Sequence, residues 1–261
     1  MNIIQGKLNF FSLFKRNFLY RLKSKINIDN HPDFKEKSID DLFSYYNCDK
    51  ANFTSEGKNK SHGYSKFYEK HFHSLKNKKI NILEIGSYAG ASAAAFAKYF
   101  PNAEIFCLDI NLRSFKFSSK RFHVFGIDAV NYKMMLKFLN KIDFFNKVQY
   151  FDIIIDDGSH DLSDQLKTLN YYYKYVKPGG YYVIEEYKFS NYFDHLNTNE
   201  DLNVEELINK VNKKEFFASK LIEKDTINLF LKKSKSIFTY KGNTRISEVR
   251  EVADVISNTM S

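Results

Sequence analysis

Short apolar runs alternate with stretches of helical periodicity from about residue 80 onward. The runs predict buried strands, because parallel strands covered on both faces read as continuous apolar segments. Apolar positions three and four residues apart predict helices between them. This alternation is typical of βαβ units, so the pattern predicts an α/β fold with a parallel sheet. The predicted strands cover 80–86, 104–110, 122–128, 151–157 and 181–186, and the predicted helices cover 91–100, 131–141, 162–176 and 204–214.

The last part of the chain predicts an antiparallel edge for that sheet. The sequence "KPGG" at 177–180 is a helix-stop and turn signal before the fifth strand. Two strand-like runs, 216–223 and 226–233, are separated by "KD" and predict a hairpin that closes the sheet. The polar residues 241–261 predict a tail or a final helix.

The N-terminal segment predicts a basic amphipathic helix, or two short ones. Its apolar residues are spaced by three and four, and its cations all precede the first acid, Asp29. One interpretation is contact of residues 1–26 with a membrane surface or a partner. The other is packing on the chain's own domain or on a sister subunit of a homo-oligomer. The apolar residues are Ile4, Leu8, Phe11, Phe14, Phe18 and Leu22, and the cations are Lys7, Lys15, Arg16, Arg21, Lys23 and Lys25.

Composition narrows the class of protein. With 261 residues and 43% hydrophobic positions, the chain can bury a full core. Cys48 and Cys107 have no paired spacing, which argues against a disulfide framework or a thiolate metal site. There is no apolar run of about 20 residues and no signal-peptide pattern, so we expect a cytoplasmic protein. The net charge of +9 raises nucleic acid, a membrane surface and an anionic substrate as partners.

Acidic side chains follow the ends of all five predicted strands. Ligands of open parallel sheets bind outside the carboxyl ends of the strands, where strand order reverses. Each acid would be costly to bury without a partner, so the set predicts a ligand site. The set is Glu84, Asp109, Asp128, Asp156, Asp157, Glu185 and Glu186.

The first strand-to-helix turn, "LEIGSYAGAS", argues against a dinucleotide cofactor. A dinucleotide site has G-x-G-x-x-G, whereas this turn keeps only Gly86 and Gly90. Glu84, two residues before the first glycine, suits a cationic or zwitterionic ligand better than a phosphate. Asp109 lies 25 residues beyond Glu84, where an acid would bind a ribose diol. An NAD-dependent oxidoreductase is therefore the least favoured enzyme class.

The segment "DDGSH" and the pair "EE" predict a metal site. The ends of neighbouring strands lie about 5 Å apart, so Asp157, Glu185 and Glu186 can converge on one point. Three carboxylates would repel one another unless a cation joined them, and all-oxygen ligands favour Mg²⁺. His160 follows three residues after Asp157 and could take a proton near neutral pH. The alternative is a structural histidine and acids that decorate a helix N-terminus.

Five motifs together carry a resemblance to a known family. "ILEIGSYAGAS", "LDI", "GIDAV", "IIDDGSH" and "KPGGYYVIEE" resemble the class I S-adenosylmethionine-dependent methyltransferases. More narrowly, residues 45–190 are similar to metal-assisted sugar O-methyltransferases that act on deoxysugars of macrolide antibiotics. The resemblance implies a Rossmann-like, seven-stranded, mostly parallel sheet with helices on both faces. It divides the chain into an N-terminal helical or lid segment (1–75), the methyltransferase domain (76–240) and the C-terminal residues 241–261.

The resemblance also implies roles for individual residues. Asp157 would be a catalytic metal ligand, with Glu185 and Glu186 as its partners and His160 as the general base. Glu186 departs from the family, which usually has an aspartate there. The implied cofactor residues are Glu84, Gly86, Gly90, Asp109, Asp128 at the adenine, and Asp156. In the segment 47–72, the implied acceptor contacts are Lys50, His62 and Tyr64.

The leading functional hypothesis is an S-adenosylmethionine-dependent, Mg²⁺-assisted O-methyltransferase. Its acceptor would be a sugar hydroxyl of a nucleotide-sugar, a surface glycan made in polysaccharide biosynthesis, or a glycosylated natural product. An RNA or DNA methyltransferase is the alternative suggested by charge. Pro32, Pro101 and Pro178 form no Pro-Pro-aromatic motif of base-amino methyltransferases, so we expect no nucleic-acid partner. A non-catalytic binding module on the same fold agrees poorly with the intact set of acids.

Overall fold

Five parallel strands form the centre of the fold in the computed structural model, which describes residues 10–32, 34, 36–53, 61–188, 191, 202–242 and 251–258. The strands are β1 (Ile26–Asn27), β2 (Asn81–Ile85), β3 (Glu104–Asp109), β4 (Phe117–Ser118), β5 (Phe122–Gly126), β6 (Phe151–Asp156), β7 (Val176–Ile184), β8 (Tyr240–Lys241) and β9 (Glu251–Asn258). The α-helices are α1 (Phe10–Leu22), α2 (Ile39–Tyr45), α3 (Ser65–Phe72), α4 (Ala91–Tyr99), α5 (Tyr132–Asn146), α6 (Leu162–Tyr172), α7 (Val204–Asn212) and α8 (Lys224–Lys233). Short 3₁₀ turns cover Ile28–Asn30, His73–Leu75 and Tyr173–Tyr175. The predicted mostly parallel α/β sheet is confirmed.

The strand order places a ligand crevice between β2 and β6. The order is β5-β3-β2-β6-β7-β9-β8. The first five strands in this order are parallel, and β9 runs antiparallel to both of its neighbours, β7 and β8. The chain leaves β2 for β3 on one side and later returns to β6 on the other, so strand order reverses here. Ile85 pairs with both Leu108 and Asp156, which brings the three carboxyl ends to one edge.

Two apolar layers cover the sheet. Alternate residues of β2 point to opposite faces, so Ile82 packs in one layer and Leu83 in the other. The first layer contains α4 and also α2 and α3, through buried rings such as Phe43 and Tyr68. The second layer contains α5 to α8. The described helices between residues 39 and 72 therefore share the core of the sheet.

The predicted C-terminal hairpin is wrong. Residues 224–233 form α8, and 216–223 form no regular element. In α8 the buried residues are Thr226, Ile227 and Phe230, whose spacing places them on one helical face rather than on alternate sides of a strand. The antiparallel edge is supplied by β8 and β9 instead, where the sequence predicted a tail or helix; residues 243–250 and 259–261 lie outside the described residues.

Two smaller differences concern local signals. "KPGG" was predicted as a helix-stop and turn before the fifth strand, but it lies inside β7. The pairing of β7 with β6 shifts register between Phe151 and Ile153. The N-terminal helix is a single one from Phe10, and the predicted residues 1–9 lie outside the described part. Cys48 and Cys107 are buried and not disulfide-bonded. Among the described helices, none is long and apolar enough to cross a bilayer.

Candidate functional site

The first turn joins β2 to the segment after β6 through a glycine. Gly86 has φ +86°, and a Cβ there would lie 1.9 Å from the carbonyl oxygen of Asp157. Gly90 has φ +75°, and a Cβ there would lie 2.7 Å from the Phe115 ring. Only glycine fits at both positions, because a Cβ would collide with neighbouring atoms of the protein and the backbone is left-handed. Gly86 also lines the crevice as predicted, whereas the contact that explains Gly90 is with Phe115.

A cavity lies by the ends of β2 and β6, where strand order reverses. Its lining is mostly apolar and includes several acidic side chains. Gly86, Asp109, Asp128 and Asp156 line it together with apolar side chains. Asp109 accepts backbone N–H bonds from Tyr88 (2.7 Å) and from Asn111 (2.5 Å), which fixes its carboxylate at the rim. Burial raises the pKa of Asp128. The apolar lining residues are Ile85, Leu108, Ile110, Ile127, Ala129 and Val130.

Glu84 is a fully buried carboxyl group of β2, and its polar neighbours Lys50, Ser87 and Ser92 line a second hollow that shares Gly86 with this cavity. Among the described residues, neither of its oxygens has a hydrogen-bond partner of regular geometry. Burial raises its pKa to about 7, while the nearby cation of Lys50 and the hydroxyl of Ser92 act in the opposite direction. An unsatisfied buried acid is costly. A cationic ligand group would supply the missing partner, as the sequence predicted.

Lys50 joins two acids that the sequence predicted as metal ligands. Its ammonium donates to Asp157 Oδ2 at 2.5 Å and to Glu185 Oε2 at 2.7 Å, and its side chain is only 1% exposed. Tyr68 donates its hydroxyl to the other oxygen of Glu185. Burial alone would lower the pKa of Lys50, but the two carboxylates outweigh it and hold that pKa well above its usual range. Burial and the neighbouring Asp157 carboxylate raise the pKa of Glu185, and the Lys50 ammonium opposes that rise.

The predicted magnesium site does not fit this arrangement. The point between Asp157 and Glu185 is filled by the Lys50 ammonium. Among the described residues, no three histidine, cysteine or acidic side chains are grouped to hold a metal. The third predicted ligand, Glu186, faces histidines instead: its carboxylate lies 3.3 Å from His62 Nδ1 and 3.5 Å from His160 Nε2.

His160 stands between two of the acids. Its Nε2 lies 3.5 Å from Glu186 and 3.8 Å from Asp157 Oδ1, and 22% of its side chain is exposed. Both His160 (φ 58°) and Glu186 (φ 54°) adopt left-handed backbone. Such geometry costs a non-glycine residue about 1–3 kcal/mol and is concentrated at functional sites. The arrangement places a solvent-reachable imidazole between two carboxylates.

The predicted acceptor contacts lie at different depths. His62 borders Glu186 and is partly exposed. Tyr64 is fully buried, and its hydroxyl has no hydrogen-bond partner in the described part of the chain. Lys50 binds two carboxylates and also belongs to the lining of an open hollow. Its role as a direct acceptor contact stays a prediction.

Two supporting hydroxyls were not predicted as site residues. Tyr68 binds Glu185, and Thr168 of α6 donates to Asp156, whose pKa burial raises to about 7. Thr168 belongs to no motif, and 12 residues separate it from its partner. Only the helical period of 162–172, which turns Thr168 toward the sheet, could have indicated it.

Comparison with known proteins decides the family. A family model described as "Methyltransferase domain" matches residues 76–245. The chain belongs to this methyltransferase family. The resemblance drawn from the five motifs is confirmed, and the methyltransferase has the α/β fold with a mostly parallel sheet that the family implies.

Curated relatives of this methyltransferase are named as O-methyltransferases. It is 29% identical over 136 residues to "Mycinamicin VI 2''-O-methyltransferase" of Micromonospora griseorubida, covering 48% of this chain and 31% of that protein. It is 30% identical over 136 residues to a tetracenomycin-C rhamnosyl 3'-O-methyltransferase of Streptomyces olivaceus, covering 48% and 32%. The chain thus spans about a third of the length of the curated relatives it matches.

A solved structure shows the shared fold. MycE methyltransferase from the mycinamycin biosynthetic pathway, in complex with Mg and SAH, superposes with a TM-score of 0.63 at 19% identity. The superposition covers 87% of this chain and 56% of that one.

Proposed function

We propose that this methyltransferase transfers a methyl group from S-adenosylmethionine to a hydroxyl of a sugar on a small molecule. The observation that carries the proposal is that the candidate cofactor residues and the candidate base lie along one edge of the sheet. The apolar cavity rimmed by Asp109 shares Gly86 with a second hollow, whose lining residues Lys50, Ser87 and Ser92 surround the buried Glu84. The partly exposed His160 directly follows Ser159 of the cavity lining. The names of the curated relatives support the choice of acceptor, because all are O-methyltransferases and two name a rhamnosyl or an olivosyl compound.

The cavity residues match the parts of S-adenosylmethionine. Asp109 would accept hydrogen bonds from the ribose diol, and the apolar wall near Asp128 would hold the adenine. Glu84 would pair with the ammonium of the methionine part, which satisfies its buried carboxylate. When bound, the cofactor supplies an electrophilic methyl group on a sulfonium sulfur.

His160 is the proposed general base. The acceptor oxygen forms a bond to the methyl carbon while the carbon–sulfur bond breaks, and sulfur keeps that electron pair as a neutral thioether. The hydroxyl proton moves to Nε2 of His160, and the adjacent carboxylates of Asp157 and Glu186 stabilise the imidazolium. Lys50 would hold Asp157 in place through its short ion pair.

Assistance by Mg²⁺, which the resemblance implies, is a separate proposal from methyl transfer itself. Mg²⁺ would require oxygens of Asp157, Glu185 and Glu186, and two of these acids are already bound to Lys50. The reaction described above routes no step through a metal. Methyl transfer measured in magnesium and again in chelator tests this point separately from the function.

The test is transfer of radiolabelled methyl from S-adenosylmethionine to thymidine diphosphate rhamnose and to methyl α-L-rhamnopyranoside. We expect His160→Gln to lower kcat by about 10²–10⁴-fold, the usual contribution of a general base, without weakening binding of S-adenosylhomocysteine. His123→Gln is the matched control, because that histidine pairs with Glu104 on β3, away from the crevice. Tight cofactor binding with no transfer to any hydroxyl, or transfer to RNA instead, would reject the proposal.

A further inference from the structure

The helix α1 is seated on the domain by one face. Leu13 is buried, and Asn17 donates from Nδ2 to the Gly126 carbonyl at 2.8 Å. Arg16 donates to the Ile110 carbonyl at 3.3 Å, and the Tyr20 ring packs edge-on to Phe115. Ile110 directly follows β3 and Gly126 ends β5, so α1 lies across the carboxyl ends of these strands, next to the cavity.

The opposite face of α1 exposes large apolar side chains. Phe14 is 63% exposed, Phe18 52% and Leu22 70%, at successive spacings of four. Residues four apart lie on one face of a helix, so the three side chains form one apolar stripe. Beyond the helix, Ile26 of β1 is another exposed apolar side chain, at 49%. A contiguous exposed apolar stripe marks an interaction surface more often than scattered single residues do.

Cations flank this stripe and no acid interrupts it. Lys15 and Arg21 are exposed on α1, and Lys23 and Lys25 follow directly after the helix. Residues 10–28 contain no aspartate or glutamate. Aromatic and leucine side chains on one face with lysine and arginine beside them are the pattern of helices that lie in the interface of an anionic bilayer.

We propose that α1 docks this protein on the surface of a bilayer containing anionic lipid. A second copy of the chain fits the surface less well, because a two-fold contact through α1 would bring two basic flanks together on a protein of net charge +9. An anionic lipid surface complements both the stripe and its flanks. This docking goes beyond the proposed function and does not depend on it. It would place the rim of the cavity close to the bilayer.

The chain contains no tryptophan, which permits a direct test. Phe18→Trp would place a single reporter in the stripe, and Phe145→Trp would place one on an equally open aromatic at the end of α5. We expect the emission of the α1 reporter to shift to shorter wavelength with vesicles of equal phosphatidylcholine and phosphatidylglycerol, but not with phosphatidylcholine alone. The Phe145 reporter should not shift with either.

Co-sedimentation of the full chain with the same vesicles measures the affinity. We expect the pair Phe14→Gln and Phe18→Gln to lower the partition coefficient at least tenfold, and the control pair Phe144→Gln and Phe145→Gln less than twofold, since both pairs are open aromatics. Lys15→Gln should lower it about fivefold, the factor expected for one cation near an anionic surface. Circular dichroism checks that every variant is folded.

Two results would overturn the proposal. Equal binding of wild type and the α1 pair would show that another surface is responsible. Sedimentation velocity without lipid provides the second: self-association that the α1 pair abolishes, with no vesicle binding by wild type, would assign the stripe to contact between copies of the chain.

Discussion

The ammonium of Lys50 balances two carboxylates that the fold brings to one point. Asp157 follows β6 and Glu185 follows β7, and the pairing of these strands alone would leave the two acids facing each other. Buried like charges raise each other's pKa and favour protonation. A lysine from outside the sheet, fixed between them at 2.5 and 2.7 Å, supplies a positive charge next to His160 and opposes the rise in the pKa of Glu185 that burial causes.

Removing that ammonium should destabilise the protein strongly. Lys50→Met keeps the buried stem but leaves the carboxylates without their counter-ion, and we expect a loss of about 3–5 kcal/mol in the free energy of unfolding, measured in urea. The control is Lys177→Met, whose half-exposed ammonium lies 2.9 Å from Asp152. An exposed pair of that kind contributes less than about 1 kcal/mol.

Magnesium added to both proteins makes this comparison sharper. If the ion and the ammonium compete for the same oxygens, millimolar Mg²⁺ should stabilise Lys50→Met and leave wild type unchanged. Stabilisation of wild type to the same extent would show that a metal binds beside Lys50, and equal losses in the two lysine variants would contradict the counter-ion role itself.

Glu84 should make stability depend on pH. Its pKa is about 7 in the folded protein and near 4.5 in an unfolded chain, so the folded state holds an extra proton between these values. Stability therefore falls as pH rises from about 4.5 to 7, by about 3 kcal/mol for this group. Urea unfolding from pH 4.5 to 8 should show a flatter profile for Glu84→Gln. A profile as steep as that of wild type would mean that another buried acid, such as Asp156, dominates.

The sequence predicted the acids of the site better than their partners. Asp157 and Glu185 directly follow strands, Asp109 ends one, and Glu84 is the last residue but one of another; strand ends are readable from apolar runs. The partner of the last two, Lys50, comes from a loop more than 100 residues away from either acid. A charge pair across such a separation depends on tertiary packing, which no local pattern encodes.

At the level of elements, the junction of β2 and β6 depends on a glycine. Gly86→Ala would add a Cβ 1.9 Å from the Asp157 carbonyl oxygen, as well as the strain of φ +86°. Gly179→Ala is a matched control, because its φ is +77° and nothing lies within 4 Å of the added atom. We expect the control to lose about 1 kcal/mol, the cost of left-handed backbone alone.

Gly86→Ala should lose clearly more, because the turn must move away from β6. Thermal unfolding compares the two alanine variants, and binding of S-adenosylhomocysteine reports on the adjacent cavity. Equal losses in both variants would show that the junction yields easily and that strain in φ is the whole effect.

The wrong prediction at 216–233 also concerns the type of element, because a hairpin was predicted where the chain forms α8. The run at 226–233 is short and rich in β-branched and apolar residues, so alternation and helical period are both compatible with its letters. Packing decides between them: Ile227 and Phe230 fill one layer of the core beside Tyr173, whose ring centroid lies 4.3 Å from that of Phe230. The runs that form β2, β3 and β6 were not ambiguous between strand and helix in this way, because apolar runs of this length are typical of a buried strand.

On the scale of the whole molecule, the cavity is built by elements from both sides of the reversal in strand order. Asp109 ends β3 and Asp128 follows β5, whereas Asp156 ends β6 on the other side. A ligand that fills the cavity therefore contacts both halves of the sheet and should stabilise the fold as a unit.

That coupling predicts a ligand-dependent melting temperature. S-adenosylhomocysteine at 100 times its Kd should add about 2.7 kcal/mol to the free energy of unfolding, which for a chain of this size raises Tm by roughly 5–10 °C. NAD⁺ at the same concentration should leave Tm unchanged, because the first turn lacks the glycines that bring a pyrophosphate onto the helix N-terminus. Glu84→Gln should reduce the shift, since its neutral amide no longer pairs with the ligand's ammonium. A shift with NAD⁺ and none with S-adenosylhomocysteine would reverse the assignment of the cavity.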